Sequence, residues 1–491
     1  MTVALSPQVR YGSSTARWTL AATVLGSGIA FLDGTVVNVA LPSISDDLGT
    51  SVAGLQWIVN AYLVTLSALL LLGGTLGDRF GHRRVFVAGA VIFTAASVLC
   101  GLAPTSGFLI AARSLQGVGG ALLVPGSLAI IAAAFHHDDR GRAIGAWSGL
   151  AGVASSIGPF LGGWLIDAVS WRLVFLINVP LAAATICISI RHVPETRSSR
   201  HAPLDIPGAA LITVALASIS YAAIDHSTNM AVVAAVTGAI TLVAFVVVEH
   251  RSTHPMLPLG LFRSPQFTGT NLTTLAVYAG LAGALFLVVL RLQVSLGYSA
   301  LEAGASLVPL TVIMLLLSPV AGQVSQRIGA RIPLTVGPIV SAAGQFMLSG
   351  VDPGDGYVRD VLPGVTVLGI GMAITVAPLT AAVLGSVGDD MAGVASGVNN
   401  AVARFAAMLA VAALPGLAGI ATDGSITDNL DSGYDTALQI AAVCTAIGGL
   451  VAALLVGRTA DVRSCIHPDL AHACNDPALV VGHRVSDTEG V

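Results

Sequence analysis

From Trp18 to Leu41 the chain carries one charged residue, Asp33, in a stretch that is otherwise almost wholly apolar or small. A helix needs about 20 such residues to cross a bilayer, and this run is long enough. It is also too long for the apolar core of a cleaved signal, and no small-residue cleavage site follows it. It is therefore read as a retained transmembrane helix that keeps a carboxylate in its interior. An ionisable group at that depth is costly unless paired or neutralised, and such groups mark transport paths and proton relays.

Similar runs recur to the end of the chain. They place candidate helices at 18–41, 55–76, 85–103, 106–134, 143–168, 172–191, 208–225, 231–248, 267–290, 304–325, 332–350, 361–384, 393–421 and 436–457. The expected fold is an all-α polytopic membrane protein with 14 transmembrane helices. Of the 491 residues, 55% are hydrophobic and 10% charged, against about 25% charged in a soluble domain. Mean hydropathy is +0.85. A water-soluble fold has no means of hiding that much apolar surface.

All 22 basic residues are Arg, and their placement orients the chain. With an even helix number both ends lie on one side. Seventeen Arg fall on that side; Arg172, Arg291 and Arg359 fall on the other, and Arg113 and Arg404 lie within helices. Positive residues stay on the cytoplasmic side, so both termini are expected to be cytoplasmic, in a cell membrane.

A repeat divides the chain. Gly74-Thr75-Leu76-Gly77-Asp78-Arg79-Phe80-Gly81-His82-Arg83 follows the second helix, and Gly322-Gln323-Val324-Ser325-Gln326-Arg327-Ile328-Gly329-Ala330-Arg331 follows the tenth. Both read G-x-aliphatic-x-polar-R-x-G-x-R. The expected organisation is a tail over 1–17, a six-helix bundle over 18–191 and linkers with two inserted helices over 192–266. A second six-helix bundle follows over 267–457, then a tail over 458–491. Paired repeats related by a pseudo-twofold axis are a transporter architecture, with the substrate path between them.

Several residues stand out on chemistry alone. Gln116, Gly117 and Gly120 lie three, four and seven positions after Arg113, on one helix face. Arg113 lies roughly 8–10 Å below the outer surface and Asp33 roughly 12 Å, at 1.5 Å per residue, so the two opposite charges share a depth. Asn38, Gln116, Asn400 and Arg404 are candidates for the substrate path; the last two are four apart in the thirteenth helix. In the first loop, Gly77 and Gly81 allow tight turning, and Gly74 belongs to the same gating loop. There Asp78 is free to cap a helix or to pair with Arg79 or Arg83, making a gating clip. Gly145, Gly158, Pro159, Gly162 and Gly163 put small residues and a kink in the fifth helix, where backbones approach closely. Asp167, Asp225, Glu249 and Glu302 fall near helix ends, within reach of water.

Taken together these motifs resemble the fourteen-helix drug:proton antiporters of the major facilitator superfamily. Leu32-Asp33-Gly34-Thr35-Val36-Val37-Asn38-Val39-Ala40-Leu41-Pro42 resembles the first-helix motif of that family, and Gly74–Arg84 its signature loop. Arg113-Ser114-Leu115-Gln116-Gly117 is similar to its fourth-helix motif, and Gly145 with Gly158-Pro159-Phe160-Leu161-Gly162-Gly163 to its antiporter motif. Trp171-Arg172, Phe175, Asn178 and Pro180 match a pattern that opens its sixth helix. Three positions depart: Ala154 stands in place of a Gly, His82 in place of an Arg or Lys, and Gln326 in place of an acid in the second loop copy. The resemblance implies a bacterial proton-coupled exporter of small lipophilic molecules working by alternating access. Asp33 and Arg113 would carry the proton coupling.

The remaining expectations follow by exclusion. No Walker motif, nucleotide fingerprint or triad spacing is present, so neither an enzyme nor a cofactor is expected. The expected partners are the bilayer, protons and a small-molecule substrate, without nucleic acid, and the chain is expected to act as a monomer. Cys465-Ile466-His467 and His472-Ala473-Cys474 are spaced too tightly for the usual zinc pattern, and no disulfide framework or metal site is expected. A proton-linked uptake symporter, or a non-transporting membrane sensor, would show the same helices.

Overall fold

The computed structural model describes residues 9–196, 204–225, 229–388, 391–421 and 426–457. We number its long helices α1 (Ser14–Leu48), α2 (Val52–Phe80), α3 (His82–Gly101), α4 (Ser106–Ala134), α5 (His137–Ala168), α6 (Leu173–His192) and α7 (Ile206–Ile224). They continue as α8 (Asn229–Arg251), α9 (Pro265–Ser295), α10 (Ala300–Ile328), α11 (Arg331–Ser349), α12 (Tyr357–Leu384), α13 (Ala392–Leu417) and α14 (Ile426–Leu455). No strand occurs among the described residues.

Among the described residues, thirteen helices are long and apolar enough to cross a membrane. The remaining helix, α5, is 32 residues long and carries no charged residue over 149–166. Helix ends also differ from expectation. α1 passes through Pro42 to Leu48, where Gly49 in a left-handed conformation (φ +61°) stops it. Helix α14 begins at Ile426, ten residues before the expected start. The stretch 426–435 is thus helical, its Asp residues having made it read as a loop. The Cys/His pairs of the tail lie outside the described residues.

Packing partners recur with an offset of eight helices. α4 packs on α2 and α3; α12 packs on α10 and α11. α1 packs on α5 and α6, and α9 on α13 and α14. Glycine permits the closest of these approaches: a Cβ at Gly119 would sit 2.6 Å from Phe93 N. Without a hydrophobic drive between helices in lipid, such small-residue contacts supply much of the association. The two sets of six meet where α1 touches α9, α2 touches α13 and α5 touches α10. Helices α7 and α8 pair with each other, and α7 lies against both α2 and α13. The outer face of α8, including Val232, Val236, Ile240 and Val243, is exposed, as a lipid-facing surface requires.

Candidate functional site: a buried ion pair beside the seam

Helix α1 shows two faces in its middle. Asp33, Val36, Val37 and Ala40 are buried, whereas Phe31, Gly34 and Asn38 are partly exposed. The 3.6-residue period turns Asp33 toward α4 and α6 and Val36 toward α5, with Phe31 and Gly34 toward α13.

On the buried face, Asp33 Oδ2 accepts a hydrogen bond from Arg113 Nη1 at 2.5 Å. Oδ1 accepts from Gln116 Nε2 at 2.8 Å and from Asn178 Nδ2 at 3.1 Å. Both amides also donate to Ser97 Oγ, at 2.9 and 3.3 Å. Arg113 donates from Nη1 to Gln116 Oε1 at 2.6 Å and from Nε to Ile58 O at 3.2 Å. Its guanidinium stacks over Tyr62, 4.4 Å from the ring centre, and Tyr62 in turn donates to Ala30 O at 3.2 Å. Asp33 is 0% exposed and Arg113 1%. Five helices, α1, α2, α3, α4 and α6, thus meet in the network around this ion pair. A buried pair of this kind rarely adds net stability over an apolar replacement, but removing one partner costs about 3–5 kcal/mol.

The sequence located Asp33 and Arg113 at one depth, and the structure brings them into contact. Gln116, expected on the substrate path, is instead fully buried within this network. Its carboxamide is needed to fill the second oxygen of Asp33. Ser97 and Tyr62 were missed because a neutral polar or aromatic residue in an apolar helix gives no signal. Asn178 was noted only as part of a motif.

On the other face, Arg404 of α13 lies over the Phe31 ring at 5.2 Å. A Cβ built on Gly34 would lie 3.9 Å from Arg404 Nη1. Arg404, Asn400 and Asn38 are all partly exposed, and the first two are one turn apart. The candidate path residues other than Gln116 are therefore on elements that face each other across the seam.

At the loop after α2, Asp78 pairs with neither Arg79 nor Arg83. Its Oδ1 lies 3.5 Å from His82 Nε2. Arg79 stacks on Phe80. Arg83 turns to Glu195, beyond α6: its amide donates to Oε1 at 3.2 Å, its Nε lies 3.6 Å from Oε2, and its Nη1 donates to Val193 O at 3.0 Å. The charge clip thus joins α3 to the chain after α6, through an acid the sequence reading had not singled out. A Cβ at Gly77 would lie 2.7 Å from His82 Nδ1, so the turn needs glycine there. Gly74 is looser, with Pro125 Cβ at 4.0 Å, and Gly81 has φ +104°.

The small residues of α5 divide by neighbour. Gly158 and Gly162 face Thr35 and Val36 of α1. Gly163 lies against the backbone of Ala300 and Leu301, and Gly304 against the backbone of Pro159. Gly145 has nothing within 4 Å of an added Cβ. Asp167 completes the α5–α10 contact, its two oxygens accepting from Ala300 N at 3.2 Å and Leu301 N at 2.9 Å. A carboxylate of the first set of helices thus caps the N-terminus of α10, where it also meets the helix dipole favourably. Further along, α5 and α10 separate around an apolar cleft of about 330 Å³ lined by Ile157, Phe160, Val312 and Leu315.

Two other charges are buried, and for Glu249 this differs from expectation. Glu249 is 2% exposed, not water-facing, and accepts from Leu257 N at 3.0 Å. Arg291 is 3% exposed; it pairs with Asp431, donates to Val351 O at 3.1 Å and stacks over Tyr434. Proximity to a helix end did not reveal either burial.

These helices and motifs agree with known proteins. Residues 23–412 match the family model described as Major Facilitator Superfamily. The multidrug resistance protein Stp of Mycobacterium tuberculosis is 34% identical over 402 residues, 81% of this chain and 74% of that protein. The methylenomycin A resistance protein of Streptomyces coelicolor is 35% identical over 448 residues, covering 89% and 92%. The cephamycin export protein of Amycolatopsis lactamdurans is 34% identical over 452 residues, covering 90% and 93%. Among solved structures, a D-xylose-proton symporter shares the fold with a TM-score of 0.62 at 16% identity, covering 90% of this chain and 97% of that one. The pattern of helices, the paired packing and the relatives agree, and the chain belongs to the Major Facilitator Superfamily of membrane transporters.

Proposed function

We propose that this protein is a proton-coupled exporter of small lipophilic molecules that works as a monomer by alternating access. The observation that carries the reading is the Asp33–Arg113 pair, buried on the helix whose opposite face meets the second set of helices. Asp33 is the proton carrier and Arg113 its counter-charge. A change in the packing of α1 against α4 alters both the distance between them and the access of water. Either change alters how readily a carboxylate holds a proton. One carrier site implies one proton per cycle. Each pH unit across the membrane then contributes about 1.4 kcal/mol.

The gating parts follow from the same reading. The close α5–α10 approach at Gly163 and Gly304 and the Asp167 cap are the outer-end closure of the cycle. The Gly74–Arg83 loop, with Asp78, His82 and Glu195, rearranges when the inner end closes. Gly158 and Gly162 let α1 slide on α5. Relatives named for resistance to antibiotics or for their export support outward transport.

Two measurements test this. In everted membrane vesicles with an imposed pH gradient, a panel of lipophilic compounds is expected to include members that accumulate and that leak out when the gradient is collapsed. No gradient-dependent accumulation, or accumulation only in right-side-out vesicles, would overturn the exporter reading. For topology, a reporter fused after Arg200 should read cytoplasmic and one inserted after Gly419 external. The reverse pattern would invert the orientation.

A further inference from the structure

Two guanidinium groups lie at depth in the described helices, Arg113 and Arg404. Asp33 neutralises the first. The second sits in the middle of α13, twelve residues after Ala392 and thirteen before Leu417, roughly 18 Å from either end at 1.5 Å per residue. No carboxylate among the described residues forms an ion pair with it. It is partly exposed where Arg113 is sealed, and it sits at the seam between the two sets of helices.

A cation is not retained at that depth without an opposite charge or a functional reason. The surroundings of Arg404 supply none of the first. Phe31 lies beneath the guanidinium, and its ring takes up one face of the group. The edge N–H donors remain, in the planar fork that matches a carboxylate two bonds at a time. Gly34 adds no side chain between this fork and α1, and Asn38 and Asn400 on the flanking turns bring neutral amides only. A lipophilic cation entering this seam would meet a like charge and no acid.

We propose that Arg404 binds an anionic group of the transported molecule, so that the exported compounds are lipophilic anions such as aromatic carboxylates or acidic phenols. This rests on the exporter reading above. The aromatic ring of Phe31 then serves twice, stacking the guanidinium and offering apolar surface to the body of the ligand.

The test uses the full-length protein in everted vesicles under a pH gradient, with fluorescein and 1-naphthoate as anions, Nile red as a neutral compound, and rhodamine 123 and ethidium as cations. Gradient-dependent accumulation should favour the anions, and unlabelled 1-naphthoate should compete where its methyl ester does not. Arg404→Gln should lower anion accumulation about 30-fold, the scale expected for losing a hydrogen bond to a charged group. Arg404→Lys should retain part of it. Uphill movement confined to the cations or the neutral dye overturns the proposal. So does anion transport that survives Arg404→Gln, or competition by the ester equal to that by the acid. The ester competition uses the unmodified protein and stands even if a variant fails to fold. Absence of uphill movement for every compound overturns the exporter reading instead.

Discussion

Asp33→Asn is expected to abolish accumulation against a gradient while leaving substrate able to bind and equilibrate. The side chain keeps its shape, and its remaining oxygen still accepts from Gln116 and Asn178, the partners of Oδ1. What changes is the atom facing Arg113, which becomes a donor opposite a donor. The guanidinium is then an uncompensated buried charge, at about 3–5 kcal/mol. Some loss of stability is therefore expected with the loss of pumping. Combining Asp33→Asn with Arg113→Gln separates the two: the double variant should recover thermal stability and still fail to pump. In proteoliposomes clamped at zero potential, the parent should reach up to a tenfold concentration ratio per pH unit, and both variants a ratio of about one. A single variant that pumps as well as the parent would place the proton carrier elsewhere.

The second large effect is steric. Gly163→Leu should cripple export without unfolding the protein. A Cβ at position 163 meets Leu301 Cα at 2.6 Å and Ala300 C at 2.7 Å, and backbone has no rotamer with which to move aside. The contact belongs to one conformation, that in which α5 and α10 touch. Overpacking at about 1–3 kcal/mol therefore lands on that state alone and shifts the equilibrium roughly 5- to 150-fold away from it, at 1.4 kcal/mol per tenfold. Spin labels at Val169 and Ser299, in a background without native cysteines, should move apart in the variant. Unchanged label distances with lost export would mean that Gly163 matters for another reason. Gly107→Ala, where a Cβ meets nothing within 4 Å, is the matched control.

What the sequence disclosed follows a physical rule. A charge in an apolar run is conspicuous, so Asp33, Arg113 and Arg404 were legible, and the helix period set Arg113 and Gln116 on one face. Partners were not legible. Ser97 and Asn178 are neutral, and their role depends on α3, α4 and α6 meeting around Asp33. Charges close to helix ends misled in the opposite direction. Glu249 was placed in water because the ends of a helix usually lie there, and Arg291 was assigned only to the outer side, yet tertiary packing buries both. Asp78 has His82 one turn away on the adjoining helix, a nearer partner than either Arg. The early start of α14 escaped because Asp431 and Asp435 break the apolar run without breaking the helix.

The position of α7 makes the molecule asymmetric in the membrane plane. The seam between the two sets of six helices has two flanks, one along α2 and α13 and the other along α5 and α10. Helix α7 bridges the first, with Tyr221 against Trp57 of α2. Nothing among the described helices bridges the second in the same way, and its apolar cleft carries Ile157 and Phe160 at the surface. A twelve-helix arrangement would leave both flanks facing lipid. Here the inserted helices cover one flank only, so the two sides of the seam present unlike surfaces to lipid.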